Sequence, residues 1–392
     1  MTVPAGVAVL GATGSVGRNA LDVIARFPER FRVTALCAGR NAAELGRQAR
    51  RFRPGIVCLS DERAASLLGP LPDGTRVLFG EEGMAEAACA PQAGIVLAAA
   101  SGVASVRPVI AAAGLGKRIA LANKELLVMA GKFLLAAARA GGGGIIPVDS
   151  EHSAVYQAIA GHRREDVSRI ILTASGGPFR NRTVRQMASA TPAEALGHPT
   201  WRRGAKISVD SATLMNKGLE IIEATWLFGL PPDRIDVVIH PQSIVHSMVE
   251  YRDGSLIAQL GIPDMRIPIG YALAFPERLP LELPRLRPHR MESLVFERPD
   301  TRRFPALAIA YSAAERGGTA PAVVNAANEV AVHAFLEGRI RLTDVAGVAG
   351  ALLSAWRPSR RAPALSDVMR ADREAREEAA RMISRKRRWK KP

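Results

Sequence analysis

The sequence predicts an α/β protein with a doubly wound parallel sheet at the N-terminus, a middle α/β region with a mobile lid loop, and a small helical bundle at the C-terminus. The order strand, glycine turn, helix, strand over residues 7–38 predicts the first part. Short apolar runs that alternate with helical patterns extend the sheet, and helical patterns alone fill residues 303–383.

The N-terminal part begins with a buried strand at residues 7–10, and the glycine-rich turn G-A-T-G-S-V-G over 11–17 follows it. A helical pattern then runs to about residue 27, and a second strand covers 31–38. Further apolar runs predict strands at 55–59, 76–79, 94–99 and 118–120. Strands separated by helices form parallel sheets, so we expect a Rossmann-like sheet here.

The glycine turn is a candidate dinucleotide site. The spacing of its three glycines lets the backbone approach a pyrophosphate at the N-terminus of the first helix. The second strand ends in Gly39, Arg40 and Asn41, where an NAD site usually presents an acid to the ribose hydroxyl. A cation there favours the 2′-phosphate of NADP. The alternative is an ordinary βα turn with a solvated Arg40.

The middle part follows a glycine run at 141–144 that marks a hinge, and its strands are predicted at 170–173, 236–239, 246–251 and 255–259. Four helical patterns at 303–316, 321–338, 342–356 and 365–383 predict the bundle. We therefore place domains at 1–149, 150–275 (with the lid at about 197–205) and 303–384. A proline-rich connector covers 276–302, and we expect the basic tail 385–392 to be disordered.

The segment 206–220, K-I-S-V-D-S-A-T-L-M-N-K-G-L-E, combines hydroxyls, an amide, an ammonium and a carboxylate. Its apolar residues recur at helical spacing, which predicts a helix capped by Asp210 or Ser211 and ended near Gly229. Unpaired backbone N–H groups at such an entrance favour an anion. The hydroxyls expected there belong to Ser208, Ser211 and Thr213.

Within this helix Asn216 and Glu220 share a face, and Lys217 projects beside it. The functional interpretation is a phosphate site beside a carboxylate metal ligand. The alternative is an amphipathic helix on which Lys217 and Glu220 form a weak surface pair.

A second acidic motif, Asp149-Ser150-Glu151, follows an extended segment, so its two carboxylates are expected on the same side of the chain. Carboxylates at a strand end can bind a hard cation, and Glu220 would complete the set. Oxygen ligands without His or Cys indicate Mg²⁺ or Mn²⁺. The alternative is an exposed acidic turn that caps the next helix.

Two loops carry further candidates for anion binding. The segment 175–178, S-G-G-P, offers backbone N–H groups and the Ser175 hydroxyl to phosphate oxygens, or is only a tight turn. The segment from His198 to Trp201 precedes two arginines and Gly204, a combination that suits a lid over an anionic ligand. A lone histidine is more often structural, so sequence context alone does not select His198.

The bulk composition excludes several classes. The 392 residues are 48% hydrophobic, but no apolar run approaches the about 20 residues of a membrane span, and no signal peptide is recognised. We expect a cytoplasmic protein without a membrane partner. The formal charge of +16 lies partly in R-K-R-R-W-K-K at 385–391 and is otherwise scattered, so we expect no nucleic-acid partner. The three cysteines lack metal-site spacing and are expected to be reduced.

Eight ordered motifs give a family resemblance. They are G-A-T-G-S-V-G, L-A-N-K-E, P-V-D-S-E-H-S-A, T-A-S-G-G-P-F, H-P-T-W, K-I-S-V-D-S-A-T-L-M-N-K-G-L-E, H-P-Q-S-I-V-H-S-M-V and N-A-A-N-E-V-A-V. Together they resemble 1-deoxy-D-xylulose 5-phosphate reductoisomerase over essentially the whole chain. The resemblance implies a homodimeric enzyme that isomerises this phosphosugar and reduces the resulting aldehyde with NADPH. The product would be 2-C-methyl-D-erythritol 4-phosphate, in non-mevalonate isoprenoid synthesis.

The resemblance also implies the site residues. Mg²⁺, Mn²⁺ or Co²⁺ would be bound by Asp149, Glu151 and Glu220. The catalytic set would be these three with Lys124 and His198. Phosphate would be held by Ser175, Ser211, Asn216 and Lys217. The rest of the substrate would contact Lys124, Ser150, Glu151, His198 and Glu220, with Trp201 as cover. NADPH would contact Thr13, Gly14, Ser15, Val16, Gly39, Arg40, Asn41, Asn123, Glu125, Gly204 and Met265.

Two other hypotheses remain at this stage. The first is a metal-assisted NADP-dependent dehydrogenase of another phosphorylated hydroxy compound, without the rearrangement. The second is a non-catalytic redox sensor that binds dinucleotide through the first domain and nucleic acid through its basic surface.

Overall fold

A computed structural model describes residues 3–197, 204–291, 293–357 and 362–387. The chain forms two compact units. The first comprises Met1–Tyr156 and Asp264–Pro284, and the second comprises Gln157–Pro263 and Arg285–Pro392. None of the helices in the described part of the chain is long and apolar enough to cross a membrane.

The first unit contains a seven-stranded sheet in the order β4-β3-β2-β1-β5-β6-β7, and every pairing is parallel. Its strands are β1 (Ala5–Leu10), β2 (Phe31–Ala38), β3 (Ile56–Leu59), β4 (Arg76–Phe79), β5 (Ile95–Ala98), β6 (Arg118–Leu121) and β7 (Ile145–Pro147). The α-helices of this unit are α1 (Ser15–Arg26), α2 (Ala42–Phe52), α3 (Gly80–Cys89), α4 (Val106–Gly114), α5 (Lys124–Gly141) and the start of α6 (Ser150–Ile159). The expected doubly wound parallel sheet is confirmed.

The second unit has a mixed four-stranded sheet in the order β11-β10-β8-β9, in which only β8 and β9 are parallel. Its strands are β8 (Val167–Ala174), β9 (Ile235–Ile239), β10 (Val245–Tyr251) and β11 (Leu256–Leu260). Helices α7 (Val184–Ala188), α8 (Pro192–Leu196), α9 (Ala205–Thr213) and α10 (Met215–Phe228) lie between β8 and β9 in the chain. Helix α11 (Arg266–Ala274) belongs to the first unit.

The C-terminal bundle is confirmed. It consists of α12 (Ala306–Arg316), α13 (Ala320–Leu336), α14 (Leu342–Ala355) and α15 (Leu365–Arg387). Helix α13 packs against α14 and α15, and α12 packs against α10. Helix α15 continues to Arg387, and residues 388–392 of the basic tail lie outside the described residues.

Gly17 lies where α1 passes close to the glycine turn. A Cβ atom at this position would lie 2.3 Å from Gly11 O and 2.7 Å from Ala12 Cα, and both atoms belong to the backbone. Helix α1 would have to move to admit it, so we expect Gly17→Ala to lower the free energy of unfolding by about 1–3 kcal/mol. Urea unfolding measures this. The matched control is Gly114→Ala, where the added Cβ meets no atom within 4 Å, and an equal loss in both variants would contradict the argument.

Candidate active site

The cofactor candidates of the first unit gather where several parallel strands end. Thr13 to Val16 follow β1, residues 39–41 follow β2, and Asn123 follows β6. The turn after β1 is tied to β2, because Gly11 N and Ala12 N both donate to Cys37 O, at 2.9 and 2.8 Å. Ligands bind at this edge of a doubly wound sheet, next to the point where the strand order reverses, which is here between β1 and β5.

Local hydrogen bonds explain the shape of this edge. Asn41 accepts a hydrogen bond from Glu44 N at 3.2 Å and so caps α2, while the neighbouring Arg40 is exposed. Asn123 caps α5 and donates to Ala100 O at 2.6 Å, which holds the start of α5 to the loop after β5. Each helix therefore begins at the sheet edge, where its N-terminus carries the positive end of the helix dipole. The remaining candidates of this unit are the buried Glu125 and the half-buried Met265, which precedes α11.

The acidic motif lies at the start of α6 and is not extended. Ser153 N donates to Asp149 O at 2.8 Å, so the helix begins immediately after Asp149. Ser150 and Glu151 then lie in its first turn, so the motif follows the extended β7 as expected but is itself helical. Asp149 and Glu151 still bring carboxylate oxygens within 4.8 Å of each other, so the expectation that they lie on the same side is confirmed, although a helical turn and not strand alternation brings them together. Serine and acidic side chains are preferred at helix N-termini, where they satisfy and neutralise unpaired N–H groups, and this preference explains the turn.

Asp149 is paired with Lys124 inside the first unit. Lys124 Nζ lies 2.6 Å from Asp149 Oδ2, and the two side chains are only 10% and 11% exposed. The fully buried His152 places its Nδ1 3.9 Å from the same oxygen. His152 was not among the predicted site residues, although its spacing of three residues from Asp149 is that of neighbours on a helix. Ser150 Oγ donates to Glu151 Oε2. The structure thus places a lysine, a serine and two carboxylates beside the end of β7.

The segment 206–220 forms two helices. Helix α9 ends at Thr213, Leu214 adopts a left-handed conformation with φ +62°, and α10 begins at Met215. The prediction of one helix capped by Asp210 or Ser211 is therefore wrong, because both residues lie inside α9. The predicted end is confirmed, since Gly229 follows α10 in a left-handed conformation. The hydroxyls of this segment consequently lie within a helix and not at its entrance.

The carboxylate of Glu220 is fully buried and held by two neighbours. Asn216 Nδ2 donates to Glu220 Oε1, and Lys217 Nζ donates to Glu220 Oε2. Asn216 and Lys217 are 6% and 2% exposed. The shared face is confirmed, and the alternative of a weak surface pair is wrong. A buried carboxylate requires such compensation, because removing an ion from water costs several kcal/mol.

The two serines expected to bind phosphate belong to neighbouring backbone segments of the second unit. Ser175 follows β8, and its hydroxyl accepts a hydrogen bond from Gly177 N at 3.3 Å. Gly177 has φ +67°, and a Cβ on it would lie 2.5 Å from Ser211 O, so this turn packs directly on α9. Only glycine permits both the backbone conformation and the contact. Gly204 precedes α9, whereas His198 and Trp201 lie outside the described residues.

Family models match three stretches of the chain. Residues 7–131 match the 1-deoxy-D-xylulose 5-phosphate reductoisomerase model, and residues 145–228 match the model of its C-terminal domain. Residues 260–378 match a further DXP reductoisomerase C-terminal domain. The chain belongs to the 1-deoxy-D-xylulose 5-phosphate reductoisomerase family. The resemblance drawn from the eight motifs is therefore confirmed.

Relatives of this name span nearly the whole chain. The reductoisomerase of Anaeromyxobacter dehalogenans is 56% identical over 350 residues, which cover 89% of this chain and 90% of the relative. That of Ralstonia nicotianae is 50% identical over 387 residues, which cover 96% and 98%.

Solved reductoisomerase structures have the same fold. The Zymomonas mobilis enzyme in complex with NADPH is 43% identical, with a TM-score of 0.89 over 97% of this chain and 99% of that one. A DOX-P reductoisomerase structure with NADPH, fosmidomycin and magnesium is 41% identical, with a TM-score of 0.92 over 97% and 98%. These reductoisomerase structures confirm the predicted fold class.

Proposed function

We propose that the protein is an NADPH-dependent, metal-dependent reductoisomerase. It converts 1-deoxy-D-xylulose 5-phosphate to 2-C-methyl-D-erythritol 4-phosphate in non-mevalonate isoprenoid synthesis. Family membership supports the reaction, and NADPH and magnesium occur in solved relatives. The single structural observation that carries the proposal is the buried Lys217–Glu220 pair on α10, because one helix there presents a phosphate-binding cation and a metal-binding carboxylate.

The carboxylates fit a hard divalent cation. Asp149, Glu151 and Glu220 offer only oxygen ligands, which favours Mg²⁺ or Mn²⁺, with Co²⁺ as a further candidate. Lys124 and Lys217 lie beside Asp149 and Glu220, so neither of these carboxylates depends on a metal alone for compensation. When bound, the metal would polarise the substrate carbonyl and stabilise the negative charge that develops on oxygen.

The other side chains bind and orient the substrate in this proposal. The phosphate is held by Ser175, Ser211, Asn216 and Lys217. The sugar backbone is oriented by Lys124, Ser150 and His198, and Trp201 excludes water. Lys217 and Glu220 are three residues apart on one helix, so together they fix the phosphate relative to the carbonyl. A carbon-skeleton rearrangement requires this positioning. We further propose that residues 1–149 bind NADPH and that residues 150–275 bind substrate and metal, although α11, within the second range, belongs to the first compact unit.

For the cofactor, we propose that the edge of the first sheet binds NADPH and that Arg40 pairs with its 2′-phosphate. Arg40 is exposed and follows β2, where the ribose of a dinucleotide is read. A charge-assisted hydrogen bond contributes about 1.5–3 kcal/mol, so Arg40→Ala should lower kcat/KM for NADPH roughly 10–100-fold. The value for NADH should change little. Steady-state kinetics with both cofactors measure this. An equal loss of kcat/KM for NADPH and NADH would show that Arg40 does not contact the 2′-phosphate.

We also propose a homodimer, in agreement with the family. Strand β11 lies at an open edge of its sheet, and Leu256 and Leu260 are 53% and 40% exposed on it. Its sequence L-I-A-Q-L lacks the charges and proline that keep edge strands from pairing. Sedimentation should therefore give twice the mass of one chain. A cytoplasmic location is proposed as well, since all three cysteines are free thiols.

The decisive test is NADPH oxidation with 1-deoxy-D-xylulose 5-phosphate, with and without EDTA. We expect substrate-dependent oxidation that EDTA abolishes and that Mg²⁺ or Mn²⁺ restores. Turnover of a different phosphosugar, but not of this one, would support the dehydrogenase hypothesis. Salt-dependent DNA binding without turnover would support the redox sensor.

A further inference from the structure

We infer that Asn328 is a positioning residue for the phosphate site and that it acts through Asp210. Asn328 Nδ2 donates to Asp210 Oδ1 at 2.7 Å, and the two residues are 118 positions apart in the chain. Both are buried, at 0% and 1% exposure. Asn328 belongs to α13, and Asp210 belongs to α9 next to Ser211. The inference rests on the proposed function, because it assigns phosphate binding to Ser211.

The carboxylate of Asp210 joins two partners of different kinds. Lys206 Nζ lies 3.0 Å from Asp210 Oδ2, one helical turn away on α9. Lys206 is 21% exposed in its side chain, so this pair is local and partly solvated. Of these two contacts, the one with Asn328 reaches from α9 to another helix. It ties the last turn of α9 to α13, a bundle helix whose middle is almost entirely buried.

The chemistry of the pair is directional. A carboxylate only accepts hydrogen bonds, so the amide nitrogen of Asn328 must face Asp210. Within the described residues, the amide oxygens of Asn325 and Asn328 have no hydrogen-bond partner. An apolar side chain at position 328 would avoid the cost of the unsatisfied oxygen, but it would leave the buried Asp210 Oδ1 without this donor. The amide of Asn328 therefore joins α13 to α9 at a cost, and a change in stability alone does not reveal whether it orients α9.

Any displacement of α9 would reach the phosphate candidates at once. Ser211 follows Asp210 directly, and its carbonyl oxygen packs against the Gly177 turn that carries Ser175. Three residues beyond Ser211, the left-handed Leu214 turns the chain into α10, which carries Lys217. Misplaced phosphate ligands would bind the phosphate less well in the substrate and in the transition state alike, so the loss should appear mainly in KM.

The test substitutes the same side chain at two asparagines of α13. Asn328→Leu removes the donor to Asp210. Asn325→Leu is the matched control, because Asn325 is also fully buried but donates to Glu329 on its own helix, at 3.4 Å. We expect Asn328→Leu to raise the KM for 1-deoxy-D-xylulose 5-phosphate roughly 10-fold, with a smaller change in kcat and an unchanged KM for NADPH. Asn325→Leu should leave all three values unchanged even where it lowers the melting temperature. Asn328→Ala replaces the leucine variant if that variant does not fold.

A reciprocal exchange tests whether the hydrogen bond itself is responsible. Asp210→Asn combined with Asn328→Asp restores one amide and one carboxylate in contact, with the donor and acceptor exchanged. Each single substitution should raise the KM for the phosphosugar, and we expect the double variant to return it close to the value of the unmodified protein. An equal rise in KM for the Asn325 and Asn328 variants would overturn the positioning role.

A second readout separates this inference from the proposed function. Inorganic phosphate should raise the melting temperature of the unmodified protein and of Asn325→Leu, and Asn328→Leu should lose most of this shift. If the unmodified protein does not turn over the phosphosugar, the proposed function fails, while the phosphate shift still decides the role of Asn328. Absence of a shift in the unmodified protein, or equal shifts in both variants, would overturn it.

Discussion

Glu220→Gln is expected to lower turnover at least about 100-fold, the scale on which groups that stabilise transition-state charge act. Glu220 is fully buried on α10, and its two oxygens accept hydrogen bonds from Asn216 and Lys217. Glutamine preserves the volume but removes the negative charge that a divalent cation requires. It also removes the negative charge that pairs with Lys217. The loss should therefore appear in kcat and should not be recovered by more substrate.

NADPH affinity should be nearly unchanged in this variant. Most of the proposed cofactor residues follow β1, β2 and β6 in the first unit, whereas Glu220 lies in the second, where Gly204 is the one proposed cofactor residue. Turnover is measured over a Mg²⁺ titration, and NADPH affinity is measured by its fluorescence. Glu250→Gln makes the same chemical change on β10, where Glu250 is 22% exposed and pairs with Arg169, and should have little effect. Full turnover of Glu220→Gln at saturating Mg²⁺ would show that Glu220 is not a metal ligand.

The secondary structure was predictable where turn-forming residues flank a clear pattern of apolar residues. Strands β2 and β4 begin and end at the predicted residues, because in each case a mostly apolar run lies between polar or glycine-containing segments. The four bundle helices were predicted because apolar residues recur at helical spacing over lengths well above one turn.

The break at Leu214 was not predictable. The apolar spacing continues through it, and nothing marks leucine as a residue with positive φ, which costs about 1–2 kcal/mol. Leu214 is 3% exposed, so burial of its side chain opposes that cost. The environment of Lys217 and Glu220 was equally hidden. Their spacing is the same for a surface pair and for a buried one, and only the packing of α10 against α12 and its neighbours distinguishes the two.

Lys217→Met should lower the free energy of unfolding by about 3–5 kcal/mol, because breaking a buried ion pair by removing one of its partners is strongly destabilising. Lys217 and Glu220 have side chains that are 3% and 0% exposed, so water cannot replace the lost ammonium. The variant should also lose roughly 10–100-fold in kcat/KM for the phosphosugar, since a charged hydrogen bond contributes about 1.5–3 kcal/mol. Urea unfolding and steady-state kinetics measure the two effects.

Mg²⁺ provides the sharper test of the same substitution. A divalent cation at Glu220 would restore positive charge beside the buried carboxylate, so Mg²⁺ should stabilise Lys217→Met more than it stabilises the unmodified protein. In the double variant Lys217→Met with Glu220→Gln the buried charge is gone. Its loss of stability should be smaller than that of Lys217→Met alone, and the additional effect of Mg²⁺ should disappear. An equal Mg²⁺ effect in all three proteins would mean that the metal is bound without Glu220, and phosphate and metal binding would then not be coupled through α10.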